Sequence, residues 1–463
     1  MELLQHIYSW VWGIPTLVLI LTVGLYLGVK TRFCQLRLLP RSLRLFFSRF
    51  SSKCQPGAGT SSFQALCTAL AATVGTGNLA GVAGAIALGG PGSVLWMWLC
   101  GFLGMGIKFA EATLAIRYRT KNTAGEAVGG PMYMIKAAMP KAFWPMASMY
   151  AFFGVIAALG VGNATQIGTV IAALSDTAAA FGCSITFGTR LLLGLLLAVL
   201  IGAILLGGAR RIGRGAELLV PFAAGLYMLL CVVVLIARWQ EIPSAFAMIL
   251  GGAFSPRAVT GGMIGSALIA LRTGVSRGIF TNEAGMGTAS IAHASAAVDH
   301  PVQQGMMGIV EVFLDTIVIC TLTALVILVS GVPISYGMDL GVQLTVAAFS
   351  AVLGSWVSIL ITLSLCLFAL ATVLGWGLYG QRCAQFLFGD RVWRLFSCLQ
   401  ILMVVVGALL RADLIWLMAE IVNGLMAIPN LIVIGALTPQ LIAIYKNYLL
   451  GGTYENFHQC QSL

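Results

Sequence analysis

Runs of about 20 apolar residues recur along nearly all of this 463-residue chain, and no other feature limits its possible folds as sharply. A helix needs about 20 such residues to cross the roughly 30 Å hydrocarbon core of a bilayer. Eleven spans are expected, at roughly 11–30, 63–90, 92–116, 144–174, 188–207, 215–237, 262–297, 304–331, 345–380, 392–410 and 413–445. Only 9% of the residues are charged, against about 25% in an average soluble domain, so a water-soluble globule is excluded. The chain reads as an all-α polytopic membrane protein.

The net charge of +11 comes from 26 Lys+Arg against 15 Asp+Glu, a balance that by itself would suit a nucleic-acid partner. The positions of the basic residues argue otherwise. With the loop at 31–62 placed in the cytoplasm, 19 of them fall in cytoplasmic segments and 4 outside, leaving Lys108, Arg272 and Arg277 within helices. That asymmetry follows the positive-inside rule. It sets an odd number of spans, with the N-terminus outside and the C-terminus cytoplasmic, and it leaves no basic surface for nucleic acid.

The opening MELLQH lacks a basic n-region and is followed by a run long enough to span, so no cleaved signal peptide is expected. Eleven cysteines never form CxxC, and most lie in apolar segments, where a thiol behaves as a small hydrophobe. No disulfide framework and no cysteine metal centre are expected. In the first loop Arg37, Arg41 and Arg44 share one helical face while Leu36, Leu39, Leu43, Phe46, Phe47 and Phe50 lie largely elsewhere. The pattern suits an interfacial helix against membrane lipid, with a solvated basic loop as the plainer alternative.

Two segments are too long and too glycine-rich to be ordinary spans. A continuous helix over 63–90 would be about 40 Å long at roughly 1.5 Å per residue. At mid-depth it carries Thr73-Val74-Gly75-Thr76-Gly77-Asn78, residues of low helix propensity. The segment 262–297 carries Gly278-Ile279-Phe280-Thr281-Asn282-Glu283-Ala284-Gly285-Met286-Gly287. Close helix packing alone accounts for glycines such as Gly77 and Gly81. Broken backbone at membrane depth, by contrast, survives only where it is buried in protein or lines a cavity. Setting aside the first span leaves five plus five, each block opening with one of these segments and the second entering from the opposite side. An inverted repeat with a broken helix in each half points to a secondary transporter with its site at the midplane. Freed N–H groups there attract a carboxylate, and freed carbonyls coordinate a cation. The expected units are 1–62, an N-terminal helix with its basic loop; 63–237 and 238–446, the two five-helix repeats; and 447–463, a short cytoplasmic tail.

The run from Ser62-Phe63-Gln64-Ala65-Leu66 through Ala71-Ala72-Thr73-Val74-Gly75-Thr76-Gly77-Asn78-Leu79-Ala80-Gly81-Val82 resembles the signature of the alanine/glycine:cation symporter family. Gly89-Gly90-Pro91-Gly92, Lys108-Phe109-Ala110-Glu111, Gly129-Gly130-Pro131-Met132-Tyr133, Arg277 to Gly287, Glu311-Val312-Phe313-Leu314-Asp315-Thr316 and Thr372-Val373-Leu374-Gly375-Trp376 follow in order. The resemblance implies a leucine-transporter-type fold of five plus five inverted helices with one extra N-terminal helix. It implies sodium-coupled uptake of alanine or glycine across a bacterial inner membrane. It places the substrate carboxylate on the N–H groups of Thr76 and Gly77 near Asn78, with Gln166 and Trp376 lining the pocket. Thr73, Gly75, Asn163 and Phe280 complete the expected substrate set. Sodium would take the carbonyls of Ala71 and Val74 and the hydroxyl of Thr372. The chain departs from the family pattern at Ala371, where a serine hydroxyl is usual, at Asn163, where an aromatic is expected, and at Gln381, where a glutamate is expected.

Charges inside a membrane cost about 2.5 to 3.5 kcal/mol each even on insertion scales, so each needs a partner. Lys108 and Glu111, at i,i+3, are expected to pair along one helix face as a structural or gating ion pair. Glu311 and Asp315, at i,i+4, are expected to pair with Arg272 and Arg277, with cation or proton coupling as the sharper alternative. Glu283 either caps freed N–H groups of the second break or acts in gating. Gly274-Val275-Ser276-Arg277-Gly278 matches GxSxG by chance, because it lies in an apolar helix without the strand-turn-helix setting of a nucleophile elbow.

The expected function is sodium-coupled symport of small neutral amino acids by alternating access, with no organic cofactor and no enzymatic activity. Proton coupling and a passive channel are the alternatives. Stoichiometry, stereoselectivity and oligomeric state are left open.

Overall fold

The structure is a computed structural model. It describes residues 6–7, 11, 13–50, 60–254, 267–338, 341–410 and 413–452. The end of the basic loop, the first residues of the seventh expected span and most of the expected tail lie outside the described residues. Among the described residues eight helices are long and apolar enough to cross a bilayer, and two bent pairs raise the number to ten. The broken segment opening at Ala267 stands beside these.

The first helix, Ile14–Lys30, turns by 80° into Cys34–Phe50. That second helix is amphipathic: Leu38 and Ser42 are buried while Arg37, Arg41 and Arg44 are exposed. The first broken segment consists of Ser62–Thr73, a π turn at Gly77–Gly81 and Val82–Gly89, with a bend of 49°. A capping box opens it, Ser61 Oγ accepting from Gln64 N–H at 3.0 Å and Gln64 Oε1 accepting from Ser61 N–H at 3.2 Å. Four spanning segments follow, with the short helix Pro131–Ala138 between the first two: Ser93–Arg117, Trp144–Leu159 continued through a π turn into Thr165–Ala180, Phe187–Leu205 and Gly208–Ala237.

The second broken segment is Ala267–Asn282 and Thr288–His293. Left-handed backbone at Glu283, Gly285 and Gly287 separates its halves. Four more segments follow: Pro301–Val329 with a π stretch at Phe313–Cys320, Val357–Phe388, Trp393–Leu409 and Asp413–Leu449. Each broken segment and the four spanning segments after it thus make a block of five. A two-residue parallel pairing of Thr60–Ser61 with Ala296–Ala297 ties the entry of the first broken segment to the exit of the second.

Two boundaries differ from expectation. The span expected at 345–380 is two helices, Gly341–Leu353 and Val357–Phe388, because Gly354 at φ 89 ends the first. A further short helix, Ile242–Phe254, follows the sixth span.

Candidate functional site

The first break is built by one diverted amide. Val74 N–H still closes the helix onto Leu70 O at 2.7 Å. Gly75 N–H instead donates to Asn78 Oδ1 at 2.9 Å, and Asn78 N–H turns back to Gly75 O at 3.3 Å. The carbonyls of Ala71 and Val74, which an unbroken helix would engage with those two donors, are thereby released. Thr372 reaches the same place: a Cβ on Gly75 would lie 2.8 Å from its Oγ1. Gly375 permits that approach, since a Cβ there would stand 2.9 Å from Ala72 N.

A buried polar chain runs from this break to the other. Asn78 Nδ2 donates to Asp315 Oδ1 at 2.7 Å, Thr316 Oγ1 donates to Asp315 Oδ2 at 2.9 Å, and Asn282 Nδ2 donates to Thr316 Oγ1 at 3.0 Å. Ala284 N–H then donates to Asn282 Oδ1 at 2.9 Å. Each member is fully or almost fully buried.

Between the breaks lies a small chamber of about 20 Å³, room for little more than a water. Of the expected residues it brings together Thr73, Gly75, Thr76, Gly77, Gln166, Phe280, Glu283, Thr372 and Trp376. Thr76 Oγ1 donates to Gln166 Oε1 at 3.2 Å, and Trp376 Nε1 donates to Glu283 Oε1 at 3.2 Å. Thr288 Oγ1 holds the other Glu283 oxygen at 2.6 Å. Above the chamber opens a vestibule of about 730 Å³ that shares Thr76, Gly77 and Phe280 with it. Phe280 therefore stands on the boundary between the two spaces. Along Val357–Phe388, Ser358 and Thr362 line the vestibule, Thr372 and Trp376 the chamber, and Gln381, Arg382 and Gln385 a separate cavity of about 540 Å³ at the far end. The chamber sits at the middle of that helix.

The far cavity is bridged by Arg382 Nη2 and Glu126 Oε2 at 2.9 Å. Burial pushes the Glu126 carboxyl up, but the Arg382 guanidinium outweighs it and holds the group below the usual carboxylate range.

Several expectations are corrected. Asn78 lies behind the chamber wall rather than in its lining. Asn163 turns away from the chamber because its amide is taken by Gln400, donating to the backbone O at 2.8 Å and to the side-chain Oε1. Lys108 does not pair with Glu111; its Nζ meets Glu311 Oε1 at 2.8 Å, and His293 Nε2 meets Glu311 Oε2 at 2.9 Å. The cause is close packing: a Cβ on Gly308 would fall 2.8 Å from Lys108 O, so Pro301–Val312 presses Glu311 onto the lysine. Arg272 and Arg277 are accordingly not the partners of Glu311 and Asp315: Arg272 is exposed, and Arg277 lines the vestibule. Nor does Glu283 cap the second break. Glu111 Oε1 does so, accepting from Gly285 N–H at 3.0 Å and Gly287 N–H at 3.1 Å. Gln381, the third departure from the family pattern, bonds Ser397 Oγ at 2.9 Å.

Sequence reasoning missed Ala72, Val161 and Asn423 in the chamber wall. Asn423 is buried and its Oδ1 meets no donor. Its signal is faint, a lone amide in the long apolar run 413–445, about 340 residues from the first break.

Residues 1–455 match the sodium:alanine symporter family. The chain is 42% identical to the sodium/alanine symporter AgcS of Methanococcus maripaludis, with 93% of each chain covered. It is 36% identical to the probable sodium/glutamine symporter GlnT of Bacillus subtilis, covering 96% of this chain and 91% of that one. Among solved structures it resembles MhsT in complex with L-phenylalanine, at a TM-score of 0.57 and 15% identity, over 82% of this chain and 89% of the other. That likeness carries the fold alone, the leucine-transporter-type arrangement of five plus five helices.

Proposed function

The chain belongs to the sodium:alanine symporter family, and from that premise we propose that it takes up small neutral amino acids, alanine or glycine, by sodium-coupled alternating access. The observation that carries this reading is the chamber between two broken helices whose freed backbone groups are of opposite polarity. Thr76 and Gly77 N–H groups receive the substrate carboxylate, and Gln166 holds the Thr76 hydroxyl in place. Asn423 and Glu283 supply acceptors on the ammonium side. Sodium takes the released carbonyls of Ala71 and Val74 together with the Thr372 hydroxyl.

Chamber and vestibule give the transport cycle its steps. The chamber is too small for an amino acid as it stands, so entry requires Phe280 and its neighbours to give way. The Glu126–Arg382 pair closes the far side while the vestibule is open. We place that far side in the cytoplasm and the vestibule outside, following the basic-residue asymmetry, in a bacterial inner membrane. One helix bundle rocks around the chamber to alternate access.

Proteoliposomes loaded without sodium test this. Concentrative alanine uptake on an inward sodium gradient is expected. Uptake unchanged when choline replaces sodium at fixed pH removes sodium coupling, and current without substrate marks a channel. Proton coupling is the second reading, favoured by Ala371, which withholds a hydroxyl from the sodium site.

A further inference from the structure

Glu111 is fully buried in Ser93–Arg117, against the second helix break. Its two carboxyl oxygens are treated unequally. Oε1 collects three donors, Gly285 N–H, Gly287 N–H and Asn430 Nδ2 at 2.8 Å, whereas Oε2 meets none. Asn430 is also fully buried; its Nδ2 donates in addition to Gly285 O at 2.8 Å, and its Oδ1 meets no donor. Two groups already joined through Oε1 and Nδ2 each present an orphaned acceptor oxygen. A buried acceptor without a donor costs about 1–3 kcal/mol, and more when it is charged.

We propose that Glu111 binds a proton at Oε2 and shares it with Asn430 Oδ1, making the Glu111–Asn430 pair a proton site that holds the second helix break in shape. One O–H satisfies both oxygens, where any donor to only one leaves the other bare.

The charges around the site agree. Lys108 faces it from the same helix and Glu311 from Pro301–Val312, while Glu283 of the break acts on both of these and His293 of Thr288–His293 pairs with Glu311. Tyr150, whose hydroxyl donates to Met286 O at 3.1 Å, and Tyr379 face it from the remaining sides. Lys108 is committed to Glu311 at 2.8 Å. Three buried carboxyls thus share one lysine, and even a charged His293 leaves the cluster negative while Glu111 is ionised. A proton removes that excess. Sodium suits the place poorly, because hard cations gather about six oxygens, and here two are open while three N–H donors crowd Oε1.

Loss of the proton places a bare charge beside Gly285 and Gly287, so the break that carries Phe280 and Glu283 responds to pH. That consequence rests on the transport reading above; the proton itself does not.

Infrared difference spectra of the full chain in proteoliposomes, acid minus alkaline, test the proposal. A protonated-carboxyl band is expected that disappears in Glu111→Gln and persists in Glu283→Gln, together with loss of the pH dependence of uptake in Glu111→Gln. No carboxyl component lost in Glu111→Gln overturns it, as would follow if a buried water bridged Oε2 and Oδ1. Should Glu111→Gln fail to insert, Asn430→Ala decides. The carboxyl C=O then loses its Nδ2 donor and its band moves to higher frequency, and an unmoved band overturns the proposal. The band without any sodium-driven uptake supports the proton site and faults the transport reading instead.

Discussion

Asn78 Nδ2 donates to Asp315 Oδ1 at 2.7 Å, while Asn78 Oδ1 accepts from Gly75 N–H at 2.9 Å, so one amide both opens the first broken helix and ties it to Pro301–Val329. Removing it strands the Asp315 carboxyl, at about 1–3 kcal/mol for a buried unsatisfied group. Asn78→Ala is expected to abolish alanine uptake while leaving insertion intact. Asp315→Asn, which keeps an acceptor oxygen, is expected to retain part of it. Wild-type uptake in Asn78→Ala would remove the chain of bonds from the mechanism.

Thr372 tests the cation site. Thr372→Ala deletes one oxygen ligand worth about 1 kcal/mol, equivalent to roughly a five-fold rise in the sodium concentration for half-maximal uptake. Alanine affinity at saturating sodium should stay near its original value. A sodium dependence that does not move takes Thr372 out of the site.

Asn423 carries the second specificity test. Asn423→Leu fills the same space without an acceptor, and the KM for alanine is expected to rise about ten-fold, as loss of one charge-assisted hydrogen bond implies. An unaltered KM leaves the amide as mere wall.

The buried Lys108–Glu311 pair is a matter of stability. Lys108→Met alone strands a carboxylate and is expected to destabilise by about 3–5 kcal/mol, whereas Lys108→Met with Glu311→Met recovers much of the loss. Thermal unfolding of the purified variants measures both. A double variant no better than the single one would show that Glu311 depends on His293 rather than on the lysine.

The Glu126–Arg382 latch carries a pH sign. Because the folded-state value of Glu126 is depressed, its contribution is present above the ordinary carboxylate range and is lost as pH falls through the lowered value. Glu126→Gln imitates that loss at neutral pH. Amide exchange in 120–128 and 381–390 is expected to speed up in the variant; equal rates would dismiss the latch.

Much of this was legible in the chain itself. The spans and both breaks follow from hydrophobic run length and from glycines placed where a helix cannot be continuous, and the breaks bring Thr73, Gly75, Thr76, Gly77, Phe280 and Glu283 to the chamber; Gln166, Thr372 and Trp376 are what the family resemblance adds. The ion pairs were not. Local spacing pairs Lys108 with Glu111, yet Gly305 and Gly308 let a distant helix come close enough to take the lysine for Glu311. The stripe Gly305, Gly308, Glu311 at i,i+3 was a visible hint, but a glycine stripe does not say which helix it faces.

The sequence by itself determined that this chain spans a membrane, where its helices run, and where two of them must break, because burial in hydrocarbon and helix propensity are set by residues near one another in the chain. Only the tertiary structure decided which oxygens meet which donors. Asn78 finds Asp315, Glu111 takes the amides expected of Glu283, and Asn423 enters the chamber from the last helix. Such bonds form over about 3 Å between residues hundreds of positions apart, and helix packing alone brings them within that distance.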